Sequence, residues 1–243
     1  MSEEQATAKL DARPLYIQVR DIFLARVAAG VWRPGTQIPN EFELAEELGV
    51  SQGTVRKALD SLTQDAIFSR RPGRGTVVAE RTPTEWLFRF FNLYTDNGAR
   101  VTPEIGSARA TVGRATANER QKLGLVQGDS VIRIHRLRSR DGRRFIRELI
   151  VVPQALFPGL EQREIPNTLY DVYQRNYGVI VSRADERLTA VAAEPADAEA
   201  LSIAPGSPLL KIDRVTFSLN DRPIELRSSV CHLEGAHYLA RLR

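Results

Sequence analysis

The chain has 243 residues, of which 42% are hydrophobic and 26% charged, with a single cysteine, Cys231, and three histidines. That length allows one or two ordinary cores and favours two domains, while one cysteine excludes an internal disulfide framework and a multi-cysteine metal site and fits a reducing compartment. The formal charge of +4 invites a nucleic-acid reading, but residues 1–80 carry 10 basic against 11 acidic side chains and residues 81–243 carry 24 against 19, so bulk charge does not make that case.

Residues 1–12 are acidic and polar, unlike a secretory signal, and the longest apolar run is Leu149 to Val152. A cytoplasmic protein with no membrane segment is expected, and the scattered histidines suggest neither a metal nor a cofactor. Pro14 stands where a first helical residue tolerates proline, and Leu15, Val19, Ile22, Phe23 and Val27 recur at helical spacing until Gly30. Arg33-Pro34-Gly35-Thr36 reads as a type II turn. Asn40, with Glu43 three residues on, starts a short helix whose expected buried stripe is Phe42, Ala45 and Leu48, ending at Gly49.

Ser51 caps the next helix, which turns Val55, Ala58, Leu59 and Leu62 inward and Gln52, Gly53, Arg56, Lys57 and Asp60 outward. Two helices across so short a turn predict a helix-turn-helix. Such pairs also occur in proteins that never touch DNA. The following Ser69-Arg70-Arg71-Pro72-Gly73-Arg74-Gly75-Thr76 argues for DNA, because it reads as a hairpin with a basic, glycine-rich tip able to reach a narrow minor groove. Locally, Gln52 to Ala79 holds five basic residues against two acidic ones.

The stretches PLYIQVRDIF, GVWRPGTQIPNEFELAEELGVSQGTVRKAL and RRPGRGTVV, over residues 13–79, resemble the GntR family of bacterial transcription regulators. The resemblance implies a winged helix-turn-helix that binds double-stranded operator DNA through Ser51, Gln52, Thr54, Arg56 and Lys57, with Gly73 and Arg74 at the wing. Many members have arginine where this chain has Phe42 and Gln52, so Phe42 is expected to pack and Gln52 to prefer adenine. Glu41, Glu43, Glu46 and Glu47 are expected to point mostly away from the phosphates.

Residues 80–97 read as a connector, with a short helix through Trp86, Leu87, Phe90 and Phe91. Beyond it, ATANERQKLGLVQGDSVIRIHRL aligns with AEPADAEALSIAPGSPLLKIDRV at a spacing near 78 residues, placing Leu123 on Leu201, Gly128 on Gly206 and Arg136 on Arg214. Each half then reads as helix, turn and long strand, followed by a hairpin turn at Asp141-Gly142 or Asn220-Asp221 and a strand carrying Glu148 or Glu225. Alternation puts Ile132, Ile134, Arg136 and Arg138 on one strand face, and Ile146, Glu148, Ile150 and Val152 on one face of the return strand. Thr168, after Pro166-Asn167, is expected to cap the helix LYDVYQRNY with Asp171 in the capping-box position.

This second part, from about Ile105 to Tyr238, resembles the UTRA effector domain of the HutC subfamily, whose fold is similar to chorismate lyase. The resemblance implies effector contacts by Arg136, Arg138, Glu148, Thr168 and Glu225, with Cys231 where some relatives have a ligand-contacting tyrosine. Two accounts of these residues stand: structural ion pairs of Arg136 or Arg138 with Glu148 or Glu225, or arginines that bind an anionic effector while the carboxylates take its hydroxyl or amine groups. The expectation is an α+β chain with a DNA-binding domain at 13–79, a connector at 80–97 and an effector domain at 98–240. It is expected to act as a homodimeric repressor released from a palindromic operator by a small anionic metabolite. The alternative is an enzyme of chorismate-lyase-like fold acting on an anionic substrate, for which no catalytic residue is evident.

Overall fold

The structure, a computed structural model, describes residues 13–79, 90–219 and 221–241 and divides into two compact units, Met1–Glu80 and Arg81–Arg243. In the first, α1 (Leu15–Ala28), α2 (Glu41–Leu48) and α3 (Gln52–Gln64) are followed by β1 (Phe68–Arg71) and β2 (Gly75–Val78), which pair antiparallel. Asn40 Oδ1 accepts from the Phe42 and Glu43 amides at 3.0 Å, and Glu43 accepts from the Asn40 amide at 2.9 Å, a complete capping box. Gly49 ends α2 in the left-handed region at φ 62°, and Ser51 Oγ then accepts from the Thr54 amide at 3.2 Å to start α3.

The core of this unit is Phe23, Leu44, Val55, Ala58, Leu59, Leu62 and Phe68, all at most 1% exposed. Trp32 lies between the rings of Phe23 and Phe68. Two expectations need correction. Phe42 does not pack: it is 68% exposed, because the buried arc of α2 runs through Leu44 and Ala45 and leaves the first turn outside it. On α1, Leu24 is buried while Leu15 is 44% exposed.

The second unit is built on a six-stranded antiparallel sheet of order β4 (Glu104–Arg114), β5 (Ser130–Arg140), β6 (Arg143–Pro153), β9 (Pro223–Cys231), β8 (Pro208–Ser218), β7 (Val181–Ala192). Its first half is β4, α4 (Ala117–Leu123), β5 and β6; its second is β7, α6 (Pro195–Leu201), β8 and β9. The predicted repeat is therefore present and longer than expected, since β4 and β7 keep the same offset. The third strands of the two halves, β6 and β9, pair at the centre.

Asp141 (φ 51°) and Gly142 (φ 74°) form the tight β5–β6 turn. Of the corresponding turn in the second half, Asn220 lies outside the described residues. Between the halves, α5 (Leu169–Tyr177) covers one sheet face, burying Leu169, Tyr170 and Tyr173 against Ile132, Ile134, Ile150 and Val152. On the opposite face Leu123 of α4 meets Val131 and Val151, and Leu201 of α6 meets Leu209. The connector helix expected around Trp86 and Leu87 lies outside the described residues. Phe90 and Phe91 are not helical, and the chain continues into β3 (Leu93–Thr95), which pairs with β10 (Ala236–Tyr238).

Candidate functional site

In the first unit, the geometry of α3 follows from its inward stripe of Val55, Ala58, Leu59 and Leu62. With that stripe buried, Ser51, Gln52, Arg56, Lys57 and Asp60 are exposed, and Thr54 is half-buried beside Ser51, whose hydroxyl lies 2.9 Å from its own. The wing turns at Pro72-Gly73-Arg74, all exposed, with Gly73 at φ 73° and Gly75 at φ 71°. Those angles suit glycine and keep the tip narrow. Beside the exposed face of α3, Glu41 Oε2 accepts from Arg56 Nε at 2.8 Å. Lys57 Nζ sits 4.1 Å from the Tyr16 ring centre.

In the second unit, cross-strand register assembles a buried polar belt on the face covered by α5. Arg136 stands opposite Glu148, Glu148 opposite Ser229, and Arg214 opposite both Arg227 and Glu186. Glu148 Oε2 accepts from Arg136 Nε at 2.7 Å and from Arg138 Nε at 3.0 Å. Its Oε1 accepts from Ser229 Oγ at 3.3 Å and lies 3.6 Å from Arg227 Nη1. Both predicted arginines therefore pair with Glu148, and neither pairs with Glu225.

Glu225 is held by Tyr170 Oη (3.1 Å), Tyr173 Oη (2.8 Å) and Arg227 through Nε and Nη2 (3.0 and 3.1 Å). Burial pushes the pKa of Glu148 up, but Arg136, Arg138 and Arg227 outweigh it and hold the carboxyl well below the usual range. Burial lowers the Arg138 pKa to about 9, with Arg136 and Arg227 adding to the effect against the pull of Glu148.

The bonds of the two arginines continue to backbone carbonyls just before α5. Arg136 Nη1 donates to Pro166 O (3.0 Å) and Asn167 O (3.3 Å), and Arg138 Nη2 to Asn167 O (3.2 Å). This leaves Arg136 Nη2 and Arg138 Nη1 buried without a hydrogen-bond partner, as is Asn167 Oδ1. Thr168 occupies the N-cap position of α5, yet its side chain makes no capping bond, and Asp171 pairs with Arg175 at 2.8 Å rather than closing a capping box. With φ −113° and ψ 79°, Thr168 departs from the extended geometry of the Asn40 cap. Its hydroxyl is thus not committed to the helix.

Sequence reasoning missed Arg227, Tyr170, Tyr173, Ser229 and Glu186. Arg227 and Ser229 share the face of Glu225 by alternation along β9, and Tyr170 and Tyr173 are three apart on the buried side of α5, so both signals were present. Glu148, Ser229, Arg227 and Cys231 line a cavity of about 20 Å³, room for about one water molecule. Burial raises the pKa of the Cys231 thiol far above its usual value, which disfavours the thiolate.

An exposed recognition helix with a glycine-bearing wing, on the same chain as a domain with buried and unsatisfied arginines, defines a ligand-responsive DNA-binding regulator. Residues 15–78 match the model for bacterial regulatory proteins of the gntR family, and residues 100–236 match the UTRA domain. The chain belongs to the GntR family of bacterial transcription regulators and carries a UTRA effector domain, the arrangement of the HutC subfamily. It is 28% identical to the HTH-type transcriptional repressor NagR of Bacillus subtilis over 94% of this chain and 96% of that protein. It is 29% identical to the histidine utilization repressor of Pseudomonas aeruginosa over 84% and 82% of the two chains. The ligand-binding domain of a GntR-family regulator from Bordetella bronchiseptica superposes with a TM-score of 0.57 at 33% identity, covering 64% of this chain and 99% of that one. These proteins are regulators, and the enzyme reading finds no support among them. No helix of the described residues is long and apolar enough to cross a membrane.

Proposed function

We propose that this chain is a cytoplasmic repressor that binds a palindromic operator as a homodimer and is released when a small anion enters the effector domain. Ser51, Gln52, Thr54, Arg56 and Lys57 meet the major groove, and Gly73 and Arg74 the minor groove. A two-fold pair of such helices reads two half-sites, which is why a dimer is required. That relatives across nearly the whole chain are named repressors supports the sign of regulation.

The observation that carries the effector class is the pair of buried, unpartnered nitrogens, Arg136 Nη2 and Arg138 Nη1. Buried donors without partners are costly, and a phosphate or carboxylate carries the acceptor oxygens that such nitrogens lack. The free Thr168 hydroxyl at the start of α5 adds a neutral donor, and helix N-termini favour anions. Glu148 fixes Arg136 and Arg138, Glu225 fixes Arg227, and each carboxylate can exchange a protein partner for a hydroxyl or amine of the ligand.

The test begins with a duplex selected by the protein from a randomised library. Its complex is titrated with inorganic phosphate, hexose phosphates and small carboxylates. Release by an anion in wild type, and loss of that response in Arg136→Ala with operator affinity nearly intact, is the expected result. By linkage, the duplex weakens anion binding by the same factor, typically about 5- to 150-fold. Release by uncharged compounds alone, or an unaltered response in Arg136→Ala, refutes the anion reading.

A further inference from the structure

We propose that Glu41 is a positioning residue for DNA reading: it ties Arg56 of α3 and Arg70 of β1 into one ion-paired cluster and thereby raises discrimination between operator and other DNA. The inference rests on the reading of α3 and the wing as the DNA-facing surface. Beyond the 2.8 Å bond to Arg56, Glu41 Oε1 lies 3.5 Å from Arg70 Nη2, and Arg70 also donates to Asp60 on α3. Three elements thus converge on one carboxylate. The Asn40 capping box fixes the backbone from which Glu41 projects. Its side chain is 21% exposed against 56% and 51% for Arg56 and Arg70, so the acid is sheltered while the arginines keep donors turned outward.

Two arginines and two acids give the cluster no net charge. An arginine on a free tether neutralises whichever phosphate it meets, adding affinity and salt dependence on every sequence. One held at Nε by a fixed carboxylate presents its terminal nitrogens in one direction, so it serves one docking register. The carboxylate also repels phosphates in misplaced complexes, which is discrimination by exclusion. Exposed ion pairs contribute little to folding, so stability does not explain the arrangement.

The test compares wild type with Glu41→Gln, Glu41→Ala and Asp60→Asn as full chains, against the library-selected duplex and a random-sequence duplex over a range of salt. For both Glu41 variants, the expected result is tighter binding to random duplex with a salt slope steeper by about 1, and a selected-to-random affinity ratio lower by about tenfold. Asp60→Asn, which leaves Arg70 held by Glu41 alone, lowers the ratio less. Glu41→Gln keeps an oxygen for Arg56 and guards against a folding defect, which a thermal melt reveals. A ratio equal to wild type in Glu41→Gln overturns the proposal. Arg56→Ala separates the two readings: an unchanged affinity and slope there removes Arg56 from the interface altogether, whereas weakening there with an unchanged Glu41→Gln ratio removes only the positioning role.

Discussion

Arg138→Met separates a structural arginine from a ligand-binding one. The guanidinium is 2% exposed and its pKa falls to about 9, so the site disfavours the charged form by on the order of 5 kcal/mol. An arginine stays protonated at neutral pH, and the cost is therefore borne by the folded protein. That figure already includes the pull of Glu148. Methionine forfeits, in addition, the bond to Asn167 O at 3.2 Å and the contact with the Phe91 ring at 5.5 Å, together about 2–3 kcal/mol. The balance is a gain on the order of 2 kcal/mol, or roughly 4–8 °C in Tm for a domain of this size. An anion at about a hundred times its Kd adds about 2.7 kcal/mol to wild type and little to the variant. Calorimetry of the full chain with and without the releasing anion reads both effects. If ligand-free Arg138→Met melts several degrees below wild type, the arginine is part of the scaffold and the reasoning fails.

Glu225→Gln leaves Arg227 buried without its main counter-charge and disturbs Tyr170 and Tyr173, so it is expected to cost about 3–5 kcal/mol, roughly 6–20 °C in the melt of the effector domain; an unchanged melt would contradict the role given to Glu225. Thr168→Ala is expected to change stability by less than about 0.5 kcal/mol, below the roughly 1 kcal/mol of a working N-cap, while weakening the anion response in the release assay. Gln52→Ala should shift base preference at one position per half-site by about 1–3 kcal/mol, and uniform weakening across a panel of operator variants would show that Gln52 does not read bases. Because the folded pKa of Glu148 is depressed, its stabilisation is full above the usual carboxylate value and is lost as pH falls below about 4.5 toward the folded value. Glu148→Gln should therefore show a shallower acid dependence of Tm in that range, and an unchanged slope would place the acid sensitivity elsewhere.

How far the sequence could be read depended on whether a residue's partners were local. Asn40 with Glu43, the Gly49 stop and the Gly73 and Gly75 tip are settled within a few residues, and the structure has them as read. The repeat was legible because each half must bury one strand face, a demand that leaves alternation in Ile132 to Arg138 and in Leu210 to Thr216. The edge strands β4 and β7 were not recognised. Most of their residues are exposed on both faces, and small ones such as Gly106, Ser107 and Ala108 carry no pattern, although the 78-residue offset points to them once applied. Phe42 was misplaced because an aromatic at the margin of a helical stripe looks apolar whether or not a neighbour covers it. The pairing of Arg136 and Arg138 with the same oxygen of Glu148 depends on strand register, which the sequence does not state.

The two halves of the effector domain differ at a place that bears on the proposed anionic effector. In the second half, Arg214 stands opposite Glu186 and has all its ends engaged: Nε with Glu186 at 2.6 Å, Nη1 with Tyr170 Oη at 3.3 Å and Nη2 with the Phe90 carbonyl at 2.5 Å. In the first half, the repeat-related Arg136 stands opposite Ala108, which is the repeat-related position to Glu186. The carboxylate that completes one half is replaced by a methyl group in the other, and it is there that Arg136 Nη2 is left without a partner. The belt accordingly has four buried guanidiniums, of Arg136, Arg138, Arg214 and Arg227, against the buried carboxylates of Glu148 and Glu225 and the half-buried one of Glu186. An unbalanced charge in a low dielectric is costly in the free protein and favours any state that brings in a negative ligand. A bound anion would do for Arg136 and Arg138 what Glu186 does for Arg214, and this asymmetry of the repeat supports the anionic effector proposed above.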